Sequence, residues 1–234
     1  YDFPMEATGN ASNRASSLGY INLNGSPVSA SYNSSYLRVI QQAGRHDYNS
    51  ATCIIDAAQN DTLELFVKRI DSNASNGWIV PANEANLTIY KLPDWWEWAE
   101  TSNTNTQSIN SNSAPVNLGT LTQSGSLYTL SNGTDITISE SGTYLIASSI
   151  YCGNSGGRSG ARASYVLNNA STFGGVTTTY IRNANGDDEG ALSNTTVMGL
   201  QSGDSISYTA GQTNGVDALE VGLSIVKLPS GANT

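Results

Sequence analysis

The sequence has few of the residues with which enzymes and nucleic-acid-binding proteins usually work. It contains one histidine, two cysteines and only 12% charged residues among 234 positions. The net charge of −9 argues against a nucleic-acid partner, because phosphates require a basic surface. No apolar run is long enough to span a bilayer, so the sequence predicts no membrane partner either.

Residues that could carry catalysis are scattered and lack the context that catalysis needs. The single histidine, His46, lies in a polar stretch with no nucleophile beside it. Residues 153–157 match the Gly-x-Ser-x-Gly pattern of a nucleophile elbow, but no helix pattern follows, and we interpret them as a loop. Glu97 and Glu100 lie beside tryptophans as in a glycosidase cleft, yet we interpret their spacing as incidental. The sequence therefore predicts no catalytic residue and no enzyme.

Metal and cofactor sites are also not indicated. Asp187, Asp188 and Glu189 offer several oxygen ligands, but their spacing is not that of an EF-hand, and whether they bind calcium stays open. No glycine-rich loop of the phosphate-binding type is present. We expect no metal and no cofactor.

The composition that is present favours an all-β protein. Gly, Ser, Thr and Asn are abundant and separate many short apolar runs, which is typical of strands joined by frequent turns. Helical periodicity occurs at most over residues 94–100. A chain of 234 residues can hold two ordinary domains, each with its own core.

A seven-residue pattern occurs twice and indicates an internal duplication. Leu87–Pro93 reads LTIYKLP, and Leu223–Pro229 reads LSIVKLP. Each copy alternates apolar and polar residues and stops at a proline, as a strand does. We expect the apolar side chains of both copies to be buried in central strands, namely Leu87, Ile89, Leu223 and Ile225.

The duplication extends towards the N-terminus. The turn at Asn60-Asp61 matches the turn at Gly203-Asp204, with alternating apolar residues after each. Further back, residues 21–25 correspond to residues 165–169, and Tyr1 falls near Tyr144. The sequence therefore predicts a first repeat over residues 1–93, a linker over 94–115 and a second repeat over 116–234.

The first repeat has no counterpart of the segment from Val116 to Thr143 that opens the second. A sandwich without those strands would expose sheet edges and part of its core. We expect this chain to be the C-terminal part of a longer polypeptide, or another chain to supply the missing strands. Cys53 and Cys152 fall at non-equivalent positions of the two repeats, which predicts two free thiols.

Three features of the second repeat resemble a known family. They are the Gly142-Thr143-Tyr144 strand, the Gly203-Asp204 turn and the closing apolar strand Leu223–Leu228, in this order. They resemble the jelly roll of the tumour-necrosis-factor and complement globular-head superfamily. The resemblance implies tandem antiparallel jelly-roll sandwiches, the first lacking its opening strands. It also implies trimers, and viral relatives that decorate phage heads, fibres and tails.

A tryptophan cluster follows the first copy of the repeated pattern. Trp95, Trp96 and Trp98 fall within four positions, and a single core cannot hold all three in either helix or strand geometry. One or two could cap the end of a sandwich, or the cluster could stack against sugars. We favour an interface in which at least one contacts another domain or subunit.

These observations predict a structural and adhesive role. We expect a homotrimeric phage head decoration or fibre protein on the virion surface, in contact with a capsid or other virion protein. The competing hypothesis is a carbohydrate-binding or adhesion module of a secreted, cell-surface or filament-forming protein, with a surface glycan as ligand. Both place the protein on a virion or outside the cell.

Overall fold

The structure, a computed structural model, describes residues 1–8, 14–38, 46–70, 77–81, 83–154, 157–182 and 188–230. Apart from a 3-10 turn at Ser29–Ser31, every regular element among them is a β-strand. The first repeat contains β1 (Asp2–Thr8), β2 (Arg14–Leu23), β3 (Ser26–Pro27), β4 (Asn33–Arg38), β5 (His46–Ser50), β6 (Leu63–Arg69) and β7 (Gly77–Ile79). The second contains β8 (Trp98–Asn103), β9 (Gln107–Ser108), β10 (Ala114–Pro115), β11 (Thr120–Gln123), β12 (Tyr128–Ser131), β13 (Asp135–Ile138), β14 (Gly142–Asn154), β15 (Arg158–Leu167), β16 (Ser171–Arg182), β17 (Glu189–Leu200), β18 (Ser205–Gln212) and β19 (Val216–Leu228).

The second repeat is a two-sheet antiparallel sandwich. One sheet has the order β12-β13-β18-β15-β16, and the other has the order β11-β8-β19-β14-β17. If β8 and β13–β19 are lettered A to H in chain order, the sheets read B-G-D-E and A-H-C-F, which is the strand order of a jelly roll. The predicted jelly roll is therefore confirmed.

Large apolar and aromatic side chains fill this sandwich. Tyr144, Tyr165, Leu223 and Ile225 have no exposed surface. Tyr165 keeps its hydroxyl satisfied in the core by donating to the carbonyl oxygen of Asn194 at 2.8 Å. The closing strand β19 lies between β8 and β14, so the second copy of the repeated pattern occupies the central position that the sequence predicts.

The first repeat contains the last six of these eight strands. Its sheets have the orders β5-β1-β7 and β4-β2-β6, and β3 also pairs with β2. They correspond to β17-β14-β19 and β16-β15-β18 of the second repeat. Among the described residues of the first repeat, nothing corresponds to β8 or β13. The prediction of a sandwich without its opening strands is therefore confirmed.

Two equivalent turns show how closely the repeats match. Asn24 donates through its side-chain amide to Asp61 Oδ1 at 2.7 Å, and Asn168 donates to Asp204 Oδ1 at 2.8 Å. Both asparagines have a φ of 52°, in the left-handed region that asparagine tolerates. Each turn therefore joins the end of one strand to the start of another by the same side-chain pair.

The first copy of the repeated pattern is not a strand, and this prediction is wrong. Leu87–Pro93 runs without strand pairing, Leu87 is only half-buried, and Ile89 is 61% exposed. The closing position is taken by β7, after which only Asn86 returns to pair with Asp2.

The predicted linker over residues 94–115 is also corrected. Trp98–Asn103 is β8, which pairs with β19 and β11 inside the second sandwich. Its inward-facing residues include Thr101 and Asn103, which bond through their side chains to the carbonyl oxygens of Leu223 and Asn117. Because polar residues with hydrogen-bond partners occupy these inward positions, the segment lacks the alternation of apolar and polar residues by which a strand is usually recognised.

Candidate functional site

The two repeats meet where a turn of the first rests on a sheet of the second. The turn Ser29–Ser31 lies on the outer face of β8, β19 and β14, which carries small side chains. A Cβ atom on Gly222 would lie 2.3 Å from the backbone nitrogen of Ala30. The close approach of the two repeats therefore requires glycine at this position.

Hydrogen bonds and one aromatic stack fix the contact. Ser149 Oγ donates to the carbonyl oxygen of Ser29 at 2.5 Å and accepts from the backbone nitrogen of Tyr32 at 3.1 Å. Ser29 Oγ donates to Glu220 Oε1 at 2.5 Å. The rings of Tyr32 and Tyr151 stack with centroids 5.0 Å apart. A turn and a strand of one repeat thus bind a sheet face of the other, so unlike surfaces meet.

A groove of about 920 Å³ opens beside this contact. From the first repeat, Tyr1, the segment Ser50–Ala57 and the unpaired segment Leu87–Asp94 border it. From the second repeat, residues of β8, β14 and β17 on the outer face of the sheet border it. Its apolar lining combines aliphatic and aromatic side chains: Ile21, Ile54, Ile55, Leu63, Leu87, Ile89, Leu92, Trp96, Trp98 and Leu145. Its size and lining are those of a binding groove.

The structure separates the three clustered tryptophans. Trp96 and Trp98 are partly buried and line the groove, whereas Trp95 is 72% exposed and packs edge-on against Trp96 at 6.0 Å. The indole nitrogen of Trp96 is buried, and no described residue accepts a hydrogen bond from it. The cluster therefore presents one ring to solvent and two to the groove between the repeats.

Burial raises the pKa of two titratable groups near the groove. Burial, and secondly the charge of Asp56, raises the pKa of Glu100. Burial also raises the pKa of the Cys53 thiol to about 12. Cys53 and Cys152 are free thiols, as the sequence predicts. A protonated thiol is a poor nucleophile, so Cys53 contributes packing rather than reactivity.

Several of the other residues that the sequence raised fall outside the described part of the structure. His46 begins β5, and its side chain lies outside the described part of the structure, as do Ser155, Gly156 and Asp187. The described residues contain no group of three His, Cys, Asp or Glu side chains that could hold a metal ion. Among the same residues, no helix has the length and apolar character needed to cross a membrane.

Sequence reasoning missed the contact face between the repeats. Its signal was the placement of small residues at the alternate, outward positions of strands whose other positions are large and apolar. These small residues are Ala147 and Ser149 in β14 and Gly222 and Ser224 in β19. A solvated sheet face would carry longer polar side chains instead, so this pattern indicates close packing.

Comparisons with known proteins return likenesses of overall shape only. No family model matches the chain, and no curated protein matches it. Murine APRIL at pH 8.5 gives a TM-score of 0.42 at 16% identity, over 57% of this chain and 99% of that one. Eiger TNF from S. frugiperda gives a TM-score of 0.42 at 14% identity, over 59% of this chain and 96% of that one. The globular domain of zebrafish complement 1qA gives a TM-score of 0.41 at 12% identity, over 57% of this chain and 97% of that one. The assignment of a jelly roll rests on the strand order described above.

Proposed function

We propose that the protein is a structural, non-catalytic component of a virion surface, a head decoration or fibre protein of a phage, and that it assembles as a homotrimer. Its partner at the attachment end is a capsid or other virion protein. The observation that carries the proposal is the contact between the repeats. One jelly roll presents a turn and the next presents a sheet face, and both surfaces are specialised for that contact.

Contacts of this kind support assembly because they join unlike surfaces. A heterologous contact leaves one unused half on each partner, and repetition generates a ring when the rotation closes. The outer edge of the second repeat carries exposed apolar side chains on β16 and β17, Val176 and Val197. These residues offer further contact area for a neighbouring subunit.

Light scattering coupled to size-exclusion chromatography tests the assembly. We expect a particle of three times the chain mass of 24.6 kDa. Replacing Val176 and Val197 together with Asp should reduce the mass towards that of one chain, while Val176→Thr with Val197→Thr serves as the matched control. A single-chain mass for the unaltered protein at all concentrations would reject the trimer. Addition to phage heads that lack their decoration protein then tests attachment.

The second hypothesis, a carbohydrate-binding or adhesion module, is favoured by exposed rings beside the groove. Trp95 is 72% exposed and Tyr90 is 83% exposed. Flat aromatic faces in water suit stacking against sugars. A glycan array with the unaltered protein, with Trp95→Ala and with the distant control Val197→Ala distinguishes the two hypotheses. Glycan binding that is lost only in Trp95→Ala supports the adhesion module, and an array without signal rejects it.

A further inference from the structure

The first sandwich is incompletely covered along one side. In the second repeat, Ile206 and Tyr208 of β18 point into the core and are fully buried. The matched turns at Asp61 and Asp204 make Leu63 and Leu65 of β6 their equivalents, yet both are only half-buried. Val67, the next inward residue of β6, is also half-buried. Three apolar core positions are thus partly open to solvent.

The second repeat shows what covers these positions. There β13 pairs antiparallel with β18, with Ile136 opposite Ile206, and β8 pairs with β19. Ile136 and Ile138 of β13 have no exposed surface. Within the described part of the first repeat, β6 pairs only with β2 and β7 only with β1. Both sheets therefore end in a free edge on the same side.

The groove reaches one end of this uncovered side, at Leu63 where β6 begins. Tyr1, Ile21 and Leu63 of the first sandwich form part of its wall, and the unpaired segment Leu87–Asp94 forms another. A free strand edge flanked by half-buried apolar side chains is what a bound polypeptide strand requires.

We propose that this side of the first repeat binds an extended polypeptide strand whose sequence lies outside residues 1–234, in the position that β13 takes in the second repeat. The bound strand runs antiparallel to β6 and carries apolar side chains at alternate positions, which pack on Leu63, Leu65 and Val67. Its backbone completes the ladder of β6. The inference rests on the strand order and holds whether or not the protein belongs to a virion.

A peptide taken from the protein itself provides the probe. The peptide of residues 133–140, GTDITISE, contains β13 and has the required alternation. The control peptide replaces both of its isoleucines with Asp. Hydrogen exchange followed by mass spectrometry then reports on β6. We expect the GTDITISE peptide to slow exchange of the Leu63–Arg69 amides by about tenfold, and the control peptide to leave it unchanged.

Two internal controls locate the effect. Exchange in β18 should not change, because its two edges are already paired. Leu65→Asp should abolish the protection, whereas Glu64→Gln, on the opposite face of β6, should retain it. If Leu65→Asp fails to fold, the comparison of the two peptides decides alone.

Two results would overturn the proposal. Unchanged exchange of β6 at millimolar GTDITISE peptide would show that the edge does not accept a strand. Protection of β6 that appears without peptide, and rises with protein concentration together with a doubled mass, would show that a second copy of this chain fills the edge instead.

Discussion

Asn168 and Asp204 bind each other across the gap between β15 and β18: the side-chain amide of Asn168 donates to Asp204 Oδ1 at 2.8 Å. Asn168 Oδ1 in turn accepts from the backbone nitrogen of Ser205 at 2.9 Å. The bond from Asn168, followed by one from the backbone of Gln201, lowers the pKa of Asp204. The equivalent bond from Asn24, followed by one from the backbone of Ala58, lowers the pKa of Asp61.

The first prediction concerns acid stability. Folding lowers the pKa of Asp204. Its ionised carboxylate therefore stabilises the folded protein at pH values above the ordinary Asp pKa, and this stabilisation is lost as the pH falls through the pKa of the folded state. Asn168→Ala should raise the pKa of Asp204 towards its ordinary value, and the free energy of unfolding should then change less with pH in the acid range. NMR titration of the carboxyl group and urea unfolding across acid pH measure this. Asn24→Ala should act on Asp61 alone, and an unchanged pKa of Asp204 in Asn168→Ala would contradict the prediction.

The second prediction compares the two copies of the repeated pattern. Ile225 is fully buried in β19, so Ile225→Ala should lower the free energy of unfolding by about 2–5 kcal/mol through lost burial and a cavity. Ile89 occupies the same place in the pattern but is largely exposed, so Ile89→Ala should change it by less than about 0.5 kcal/mol. Denaturant unfolding of both variants provides the measurement. Equal losses would mean that Leu87–Pro93 is packed in solution.

The third prediction concerns the contact between the repeats. Gly222→Ala would drive a methyl group into the backbone of Ser29 and Ala30, and should destabilise the protein by about 1–3 kcal/mol. Gly199→Ala is the matched control, because nothing lies within 4 Å of a Cβ atom there. Thermal unfolding compares the two. Faster hydrogen exchange at Ser29–Ser31 in Gly222→Ala alone would confirm that the repeats have separated.

The fourth prediction concerns Trp95. Because this ring is mostly in water, Trp95→Ala should change the free energy of unfolding by less than about 0.5 kcal/mol. If the ring anchors a subunit contact, the same change should weaken the trimer by about 2 kcal/mol or more. Light scattering over a dilution series measures the second effect. Trp98→Ala is the contrasting variant, since it alters β8 and should destabilise the fold itself.

The matched turns and the closing strand of the second repeat could be predicted because local chemistry determines them, whereas the jelly roll was predicted from the resemblance to a known family. The Asn60-Asp61 and Gly203-Asp204 turns need residues that accept positive φ, and the structure finds φ of 75° at Asn60 and 91° at Gly203. Leu223 and Ile225 alternate in a strand with partners on both sides. In these places local preference and tertiary packing agree, so the residues alone predict the structure.

The remaining features depend on partners that a sequence pattern does not reveal. Leu87–Pro93 has the alternation of a strand, but β7 takes the position beside β1, and Leu87–Pro93 pairs with no strand among the described residues. Trp98–Asn103 lacks the alternation, yet β19 and β11 give it partners on both sides. The groove arises from how the two repeats pack, and only the small residues of β14 and β19 hinted at that packing.

The central position of β19 determines when this protein can fold. β8 is made more than a hundred residues before its partner β19, so the sheet that carries both stays incomplete during most of synthesis. The first repeat rests on that same sheet, on β14, β17 and β19, and therefore lacks its complete docking surface until the last strand is made. Pairing between such distant segments is slow, and the exposed sheet edges invite aggregation in the meantime. Refolding from denaturant should accordingly be rate-limited by the insertion of Val216–Leu228 between β8 and β14.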